Sequence, residues 1–387
     1  MNNITTDIIN IGVIDCEIDL FEGQYHVPNG MKYNSYIVLD EEIAIFDTVD
    51  IHFANQWIKK IEEVLNNKVP NYLIIQHMEP DHSGSIQKFL ERYPNTKIIA
   101  NKKTFQMIQQ FFDLDLTNLQ VEVTNNQQFT TGKYNYTFIF APMVHWPEVM
   151  VTYVHEAKIL FSADAFGTFG KDDEITSVFD WANEAARYYI GIVGKYGMQV
   201  QALLKKVAAF DIQIICSLHG PAIQGNIEEF VELYHKWSKY EVEKEGIVIG
   251  YASAYGNTKV AVDYMVDRLK ESGQQNIVVY DLARCDHSNA ICDAFRYSKL
   301  VLASITYNAG MSPFMDSFIN GLKERNYQNR LVACIENNSW APMANKAMLK
   351  SLELCKNLSY VSNHVTITSS LDETSREAIN QLVKELK

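Results

Sequence analysis

Six consecutive residues, His77-Met78-Glu79-Pro80-Asp81-His82, set two imidazoles and two carboxylates just past an apolar run, Tyr72–Ile75. Residues 77, 79 and 81 alternate, so an extended loop aims all three one way, with His82 reaching in from the adjacent position. Three more candidates follow apolar runs in the same manner: His145 after Tyr136–Phe140, Asp164 after Ile159–Phe161, and His219 after Ile212–Cys216. Four strand ends thus deliver four imidazoles and three carboxylates, enough for two metals that share a bridging carboxylate and keep open positions. No thiolate joins the set, which disfavours a soft structural zinc site. The nitrogen and oxygen donors suit iron or manganese, and softness alone leaves zinc open. Carboxylates stabilise the ferric state and imidazoles keep the ferrous state accessible, as a redox-cycling pair requires. His52, His155, His235, His287 and His364 lack such partners and read as surface or helix-face residues.

A second constellation lies at Ser253-Ala254-Tyr255-Gly256-Asn257-Thr258, between an apolar strand and a helix that opens at Thr258. Hydroxyls and successive N–H groups at a helix start cradle an anion, and Gly256 supplies backbone freedom. There is no Lys of the Walker type and no G-x-G-x-x-G, so a monophosphate is favoured over a triphosphate or dinucleotide. Two later strand ends face the same crevice. Ser304-Ile305-Thr306-Tyr307-Asn308-Ala309-Gly310 and Asn337-Asn338-Ser339-Trp340 offer polar edges and two aromatic faces, Tyr307 and Trp340, to a flat ring.

The elements that must hold these loops fall into two groups. The N-terminal part alternates apolar strands with helical stretches at 54–66, 187–210 and 230–245, the last read as ending at Gly246. The C-terminal part has five strands (247–251, 276–281, 299–304, 330–336, 365–368). They alternate with helices at 258–272, 290–297, 313–324, 344–356 and 371–386. That is the pattern of a flavodoxin-like, doubly wound parallel sheet of order 2-1-3-4-5, with its ligand crevice at the switch point. Charge marks the same border: 32 acidic and 19 basic residues lie in 1–244, and 15 of each follow. With 387 residues, two domains are expected, 1–245 and 246–387. A net charge of -13 argues against nucleic-acid and anionic-membrane partners. No apolar stretch approaches the roughly 20 residues that span a bilayer. Six scattered cysteines without a C-x-x-C pair fit a reduced, cytoplasmic protein and rule out a rubredoxin-like iron site in this chain.

The first constellation resembles the metallo-β-lactamase fold, whose hydrolases carry H-x-H-x-D-H. Here Glu79 stands at the second His. That swap, with HWPE (145–148), LFSADAFG (160–167) and SLHGP (217–221), resembles the flavodiiron proteins, or A-type flavoproteins, from about Phe21 to the C-terminus. The resemblance implies an α/β protein with an N-terminal αββα sandwich and a C-terminal FMN domain. It implies that His77, Glu79 and His145 bind the iron nearer the flavin, that Asp81, His82 and His219 bind the other, and that Asp164 bridges. His26 and Tyr196 resemble groups near the oxygen-binding face. FMN falls to Ser253, Tyr255, Gly256, Asn257, Thr258, Ser304, Thr306, Tyr307, Asn308, Ala309, Gly310, Asn338, Ser339 and Trp340.

The leading functional expectation is therefore an oxidoreductase that draws electrons through FMN to a diiron centre. It would reduce O2 to water with four electrons, or couple two NO to N2O and water with two. A dinuclear metallo-hydrolase with an accessory flavodoxin unit is the alternative, and Glu79 and the redox domain argue against it. A non-catalytic electron carrier would not need seven ligand positions. The resemblance implies an external donor, either rubredoxin with its reductase or a reduced deazaflavin. It also implies a head-to-tail homodimer, or a dimer of such dimers, in which each flavin faces the partner's metal site.

Overall fold

The computed structural model describes residues 1–172 and 174–387. It divides into two compact units, Met1–His235 and Lys236–Lys387.

The first unit faces a seven-stranded sheet against a six-stranded one. The first sheet runs Asn2–Asn3, Ile8–Asn10, Tyr36–Val38, Ala44–Phe46, Tyr72–Ile74, Lys97–Asn101, Gln120–Val123. The second runs Gln128–Thr130, Asn135–Phe140, Met150–Val154, Ile159–Phe161, Ile214–Cys216, Ile223–Gln224. Their inner faces interlock through one apolar cluster that includes Tyr36, Phe46, Ile74, Tyr136, Phe138 and Phe161. Phe46 stacks on Phe161 with ring centres 4.1 Å apart. Each such buried side chain contributes about 1.5–3 kcal/mol of transfer free energy. Helices cover the outer faces: Ala54–Leu65 buries Trp57 and Ile61, with Trp57 against Phe89 of the helix Ile86–Arg92. The result is the expected αββα layering, in which the strands that precede the candidate ligands end on one rim.

The second unit has the parallel order Ile277–Asp281, Lys244–Ala252, Tyr297–Tyr307, Leu331–Asn338, with Ser359–Tyr360 and Val365–Thr368 both along the last strand. In chain order this is 2-1-3-4-5. The fifth strand is split, and between its pieces the His364 Nδ1 accepts the N–H of Cys334 at 3.1 Å.

Two expected helices differ. The stretch 187–210 is broken: Val178–Tyr188 passes through a π-wound Tyr189–Val193 and a tight turn Gly194–Tyr196 into Gly197–Val207. Gly191, Gly194 and Gly197 make a regular helix costly there, and the Tyr25 hydroxyl binds the Gly191 carbonyl at 2.8 Å. The helix expected to reach Gly246 spans Ile227–Ser238, and Gly246 lies inside the strand Lys244–Ala252. The residues between are tied to the second unit. Arg296 grips Glu243 with both arms, and Arg330 donates to the carbonyls of Tyr240 (2.8 Å) and Glu241 (3.0 Å). Among the described residues no helix is long and apolar enough to cross a membrane.

Candidate functional site

The loop after Tyr72–Ile74 delivers four of the candidate ligands in two directions rather than one. Pro80 occupies the first turn of a short helix, Pro80–Ser83, behind Glu79. The chain is extended through Glu79 and wound from Pro80 on, so Asp81 and His82 turn away from His77 and Glu79. The outcome is two clusters: His77, Glu79, His145 and Asp164, and beside them Asp81, His82 and His219. All seven are buried.

Asp164 joins the clusters. Its Oδ2 lies 3.0 Å from His145 Nε2 and 3.3 Å from His77 Nε2. Its Oδ1 lies 3.4 Å from His82 Nε2 and 3.8 Å from His219 Nε2. Glu79 Oε2 stands 3.2 Å from His77 Nε2 and 3.0 Å from His145 Nε2, and Asp81 Oδ2 stands 3.3 Å from His82 Nε2 and 3.4 Å from His219 Nε2.

The outer partners decide what these atoms want. His77 Nδ1 meets Glu148 Oε1 at 2.9 Å, and His219 Nδ1 meets the Lys32 carbonyl at 2.9 Å. Both partners are acceptors, so each Nδ1 carries the hydrogen and each Nε2 of the neutral ring presents a bare lone pair. Those lone pairs face carboxylates, and His219 Nε2 faces His82 Nε2 at 2.9 Å. Asp81 Oδ1 and Oδ2 and Asp164 Oδ1 are buried without a hydrogen-bond partner. Lone pairs converging on lone pairs need cations between them, and two divalent ions satisfy the whole set.

Protons take that place when metals do not. Burial pushes Asp81 up to about 8, against the pull of His82. Burial and the neighbouring His82 push His219 down to about 3. Burial opposes a charge on His145, yet hydrogen bonds to Asp164 and Glu79 carry it up to about 9. Burial likewise opposes the Asp164 charge, but His77, His145 and His82 hold its carboxyl well below the usual range.

Two positioning residues escape a search for ligand spacing. Asp47, at positive φ of 53°, accepts the N–H groups of Gln76 (2.7 Å) and His77 (3.2 Å) and so pins the strand end. Glu148, noticed in the sequence as part of HWPE, accepts the Met78 N–H at 2.8 Å as well as the His77 ring. The signal available for both was an acid just past a strand or beside a ligand, which is too common to single out.

In the second unit a cleft of about 470 Å³ opens at the switch point. It is lined by Ser253, Tyr255, Asn257 and Thr258 from the first loop, Thr306 to Ala309 from the second, and Asn338 to Trp340 from the third. Gly256 adopts φ 95° at the start of the helix Asn257–Glu271, where Ser253 Oγ accepts the N–H groups of Gly256 (3.2 Å) and Lys259 (3.4 Å) and no side chain among the described residues takes those of Asn257 and Thr258. Thr258 Oγ1 is buried with no hydrogen-bond partner. Open N–H groups beside an unpartnered hydroxyl fit a phosphate. Tyr255 is 97% exposed and Trp340 91%, so both rings are free to cover a flat ligand. Ser304 is turned to structural use, its Oγ accepting the Ser312 N–H at 3.1 Å, and neither it nor Gly310 lines the cleft. Ser369 does line it and went unread in the sequence; its N–H binds the Asn338 carbonyl at 2.7 Å.

Comparison with known proteins bears on both units. Residues 31–220 match the ODP family beta lactamase. An uncharacterized protein of Methanocaldococcus jannaschii is 28% identical over 92% of this chain and 90% of its own length. The anaerobic nitric oxide reductase flavorubredoxin of Escherichia coli is 25% identical over 86% of this chain and 71% of its own. A crystal structure of a Thermotoga maritima flavoprotein superposes with TM-score 0.88 at 26% identity, over 98% of this chain and 96% of that one. The rubredoxin oxygen:oxidoreductase of Desulfovibrio gigas shares the fold with TM-score 0.92 at 23% identity, over 100% and 97%. By these likenesses the chain is similar to the flavodiiron proteins over nearly its whole length.

The two remaining candidates lie apart from the clusters. His26 is exposed on the strand Tyr25–His26, and Tyr196 is half-buried in the turn Gly194–Tyr196. Among the described residues neither side chain has a hydrogen bond to the seven candidate ligands. Two tyrosines do approach them: Tyr33, with its ring centre 6.0 Å from that of His219, and Tyr188, whose ring centre is 5.3 Å from that of His219 and whose buried hydroxyl has no partner among the described residues. Burial first, then Asp164, Glu79 and Asp81, drive its pKa well above the ordinary value, so it keeps its proton.

Proposed function

We propose that this chain is a flavodiiron oxidoreductase that reduces O2 to water, NO to N2O, or both, with electrons delivered through FMN. The observation that carries the reading is the two-faced Asp164 carboxylate between two clusters of bare imidazole nitrogens and unpartnered carboxylate oxygens. His77, Glu79 and His145 would hold one iron, Asp81, His82 and His219 the other, with Asp164 bridging. Ser253, Tyr255, Gly256, Asn257, Thr258 and the loop segments 306–309 and 338–340 would hold FMN. When bound, the flavin would accept electron pairs and release single electrons to irons that bind and reduce the gas.

The chain's own residues prepare that chemistry. Glu148 and the Lys32 carbonyl keep Nε2 of His77 and His219 stripped of hydrogen and aimed inward. Tyr188 brings an O–H, held protonated by burial and the nearby carboxylates, to the pocket where oxygen atoms gain protons. For His26 and Tyr196 the proposal of a place near the oxygen-binding face rests on the family resemblance alone.

We further propose that residues 1–245 serve the metals and 246–387 the flavin, and that the chain works in the cytoplasm as a head-to-tail homodimer or a pair of such dimers. Its donor would be rubredoxin with its reductase, or a reduced deazaflavin. The name of the Desulfovibrio gigas oxidoreductase supports the rubredoxin choice. A monomer, shown by light scattering, with full reductase activity would remove the dimer. The functional reading is tested by purifying the protein without oxygen, counting iron and FMN per chain, and following O2 and NO consumption with reductant. Zinc in the native protein, hydrolysis of esters or amides, and indifference to both gases would overturn it.

A further inference from the structure

The start of the helix Ala344–Leu352 ties together two walls of the flavin cleft. Thr306, in the second loop, accepts through Oγ1 the N–H groups of Met343 (3.1 Å) and Ala344 (3.2 Å). Glu336, on the strand that leads into the third loop, accepts the Asn345 N–H through Oε2 at 3.0 Å and the Thr366 hydroxyl through Oε1 at 2.9 Å. Three N–H groups that a helix start leaves open are thus satisfied from two neighbouring strands.

Glu336 stands out because its job as an acceptor does not need its charge. A glutamine of the same shape would accept from Asn345 with its oxygen and donate to Thr366 with its amide. Instead there is a carboxylate, 5% exposed, with no cationic side chain among its partners in the described residues. A buried, unpaired charge is costly, and the partial positive charge of the helix start offsets part of that cost. Residues 336 and 338 share one face of their strand, and Asn338 lines the cleft. The charge therefore sits one pleat behind the cleft wall, where little water screens it.

We propose that Glu336 is a positioning residue of the flavin site whose fixed negative charge also sets the flavin's reduction potential. It holds the helix start that anchors the second and third loops, and it disfavours the electron-rich reduced flavin relative to the oxidised form. The proposal rests on the FMN reading given above.

The test measures FMN affinity and midpoint potential in the wild-type chain, Glu336→Gln and Glu336→Asp. Glu336→Gln should favour reduced over oxidised FMN about tenfold, a rise of about 30 mV for the two-electron couple. Glu336→Asp keeps the charge but withdraws the acceptors, so FMN should bind about tenfold more weakly in both states with the potential unmoved. Wild-type FMN binding with an unmoved potential in Glu336→Gln overturns the proposal and leaves the flavin reading intact. Unchanged FMN binding in Glu336→Asp overturns it as well, and this arm decides if the glutamine variant does not fold. A wild-type chain that binds no FMN removes both.

Discussion

Glu148 never has to touch a metal to matter. It orients the His77 ring and holds the Met78 N–H, so Glu148→Ala leaves two buried donors open and lets the ring turn. Iron affinity should fall about 10–100-fold, read by competition with a chelator, while the flavin spectrum stays the same. Thr258 is the corresponding residue in the other unit, with a buried hydroxyl that has no protein partner. Thr258→Val should weaken FMN by about 1.5–3 kcal/mol, the worth of a hydrogen bond to a charged group, and riboflavin much less. Equal losses for both ligands would show that the hydroxyl does not face a phosphate. The seven candidate ligands were legible in the sequence because each is a strong donor just past an apolar run. Asp47, Glu148 and Tyr188 were not singled out, because pinning a backbone or approaching a ligand from another helix requires no motif.

At the scale of elements, strand order in the C-terminal unit followed from counting strands and helices. The path of 187–210 did not, because three glycines and the Tyr25 hydroxyl act through tertiary contact. The turn at Pro80 was readable in principle: proline favours a helix's first turn, and that winding splits one motif between two clusters. The split fifth strand of the flavin unit yields a pH prediction. Only neutral His364 can accept the Cys334 N–H, and burial, opposed by Glu385, lowers its pKa below the ordinary value of 6.5. The unfolded chain therefore binds the proton more readily. The associated stability is complete above about pH 6.5 and is lost as pH falls toward the lower folded value. Denaturant titrations across this range should show that decline in the wild type and a flatter profile in His364→Asn, whose acceptor does not titrate. Identical profiles would exclude the histidine as the cause.

For the whole molecule, two units with separate ligands predict two separable stabilities. Removing iron should lower the melting transition of the first unit, and removing FMN that of the second, because each ligand stabilises the fold that binds it. One transition that shifts equally with either ligand would contradict this independence. The charge border lies near residue 245 and the division of the compact units at His235/Lys236, and the segment between belongs with the C-terminal unit, where Arg296 and Arg330 grip it. Charge was silent on the chemistry, which strand-end placement revealed. The central claim, that flavin electrons reach a gas through paired irons, is tested most directly by flavin reoxidation. Protein reduced without oxygen, loaded with iron or with zinc, is mixed with O2 or NO while flavin colour and gas are followed together. Fast reoxidation matched by gas loss is expected in the iron form alone; equally fast reoxidation in the zinc form, or an iron form that consumes neither gas, would rule this electron path out.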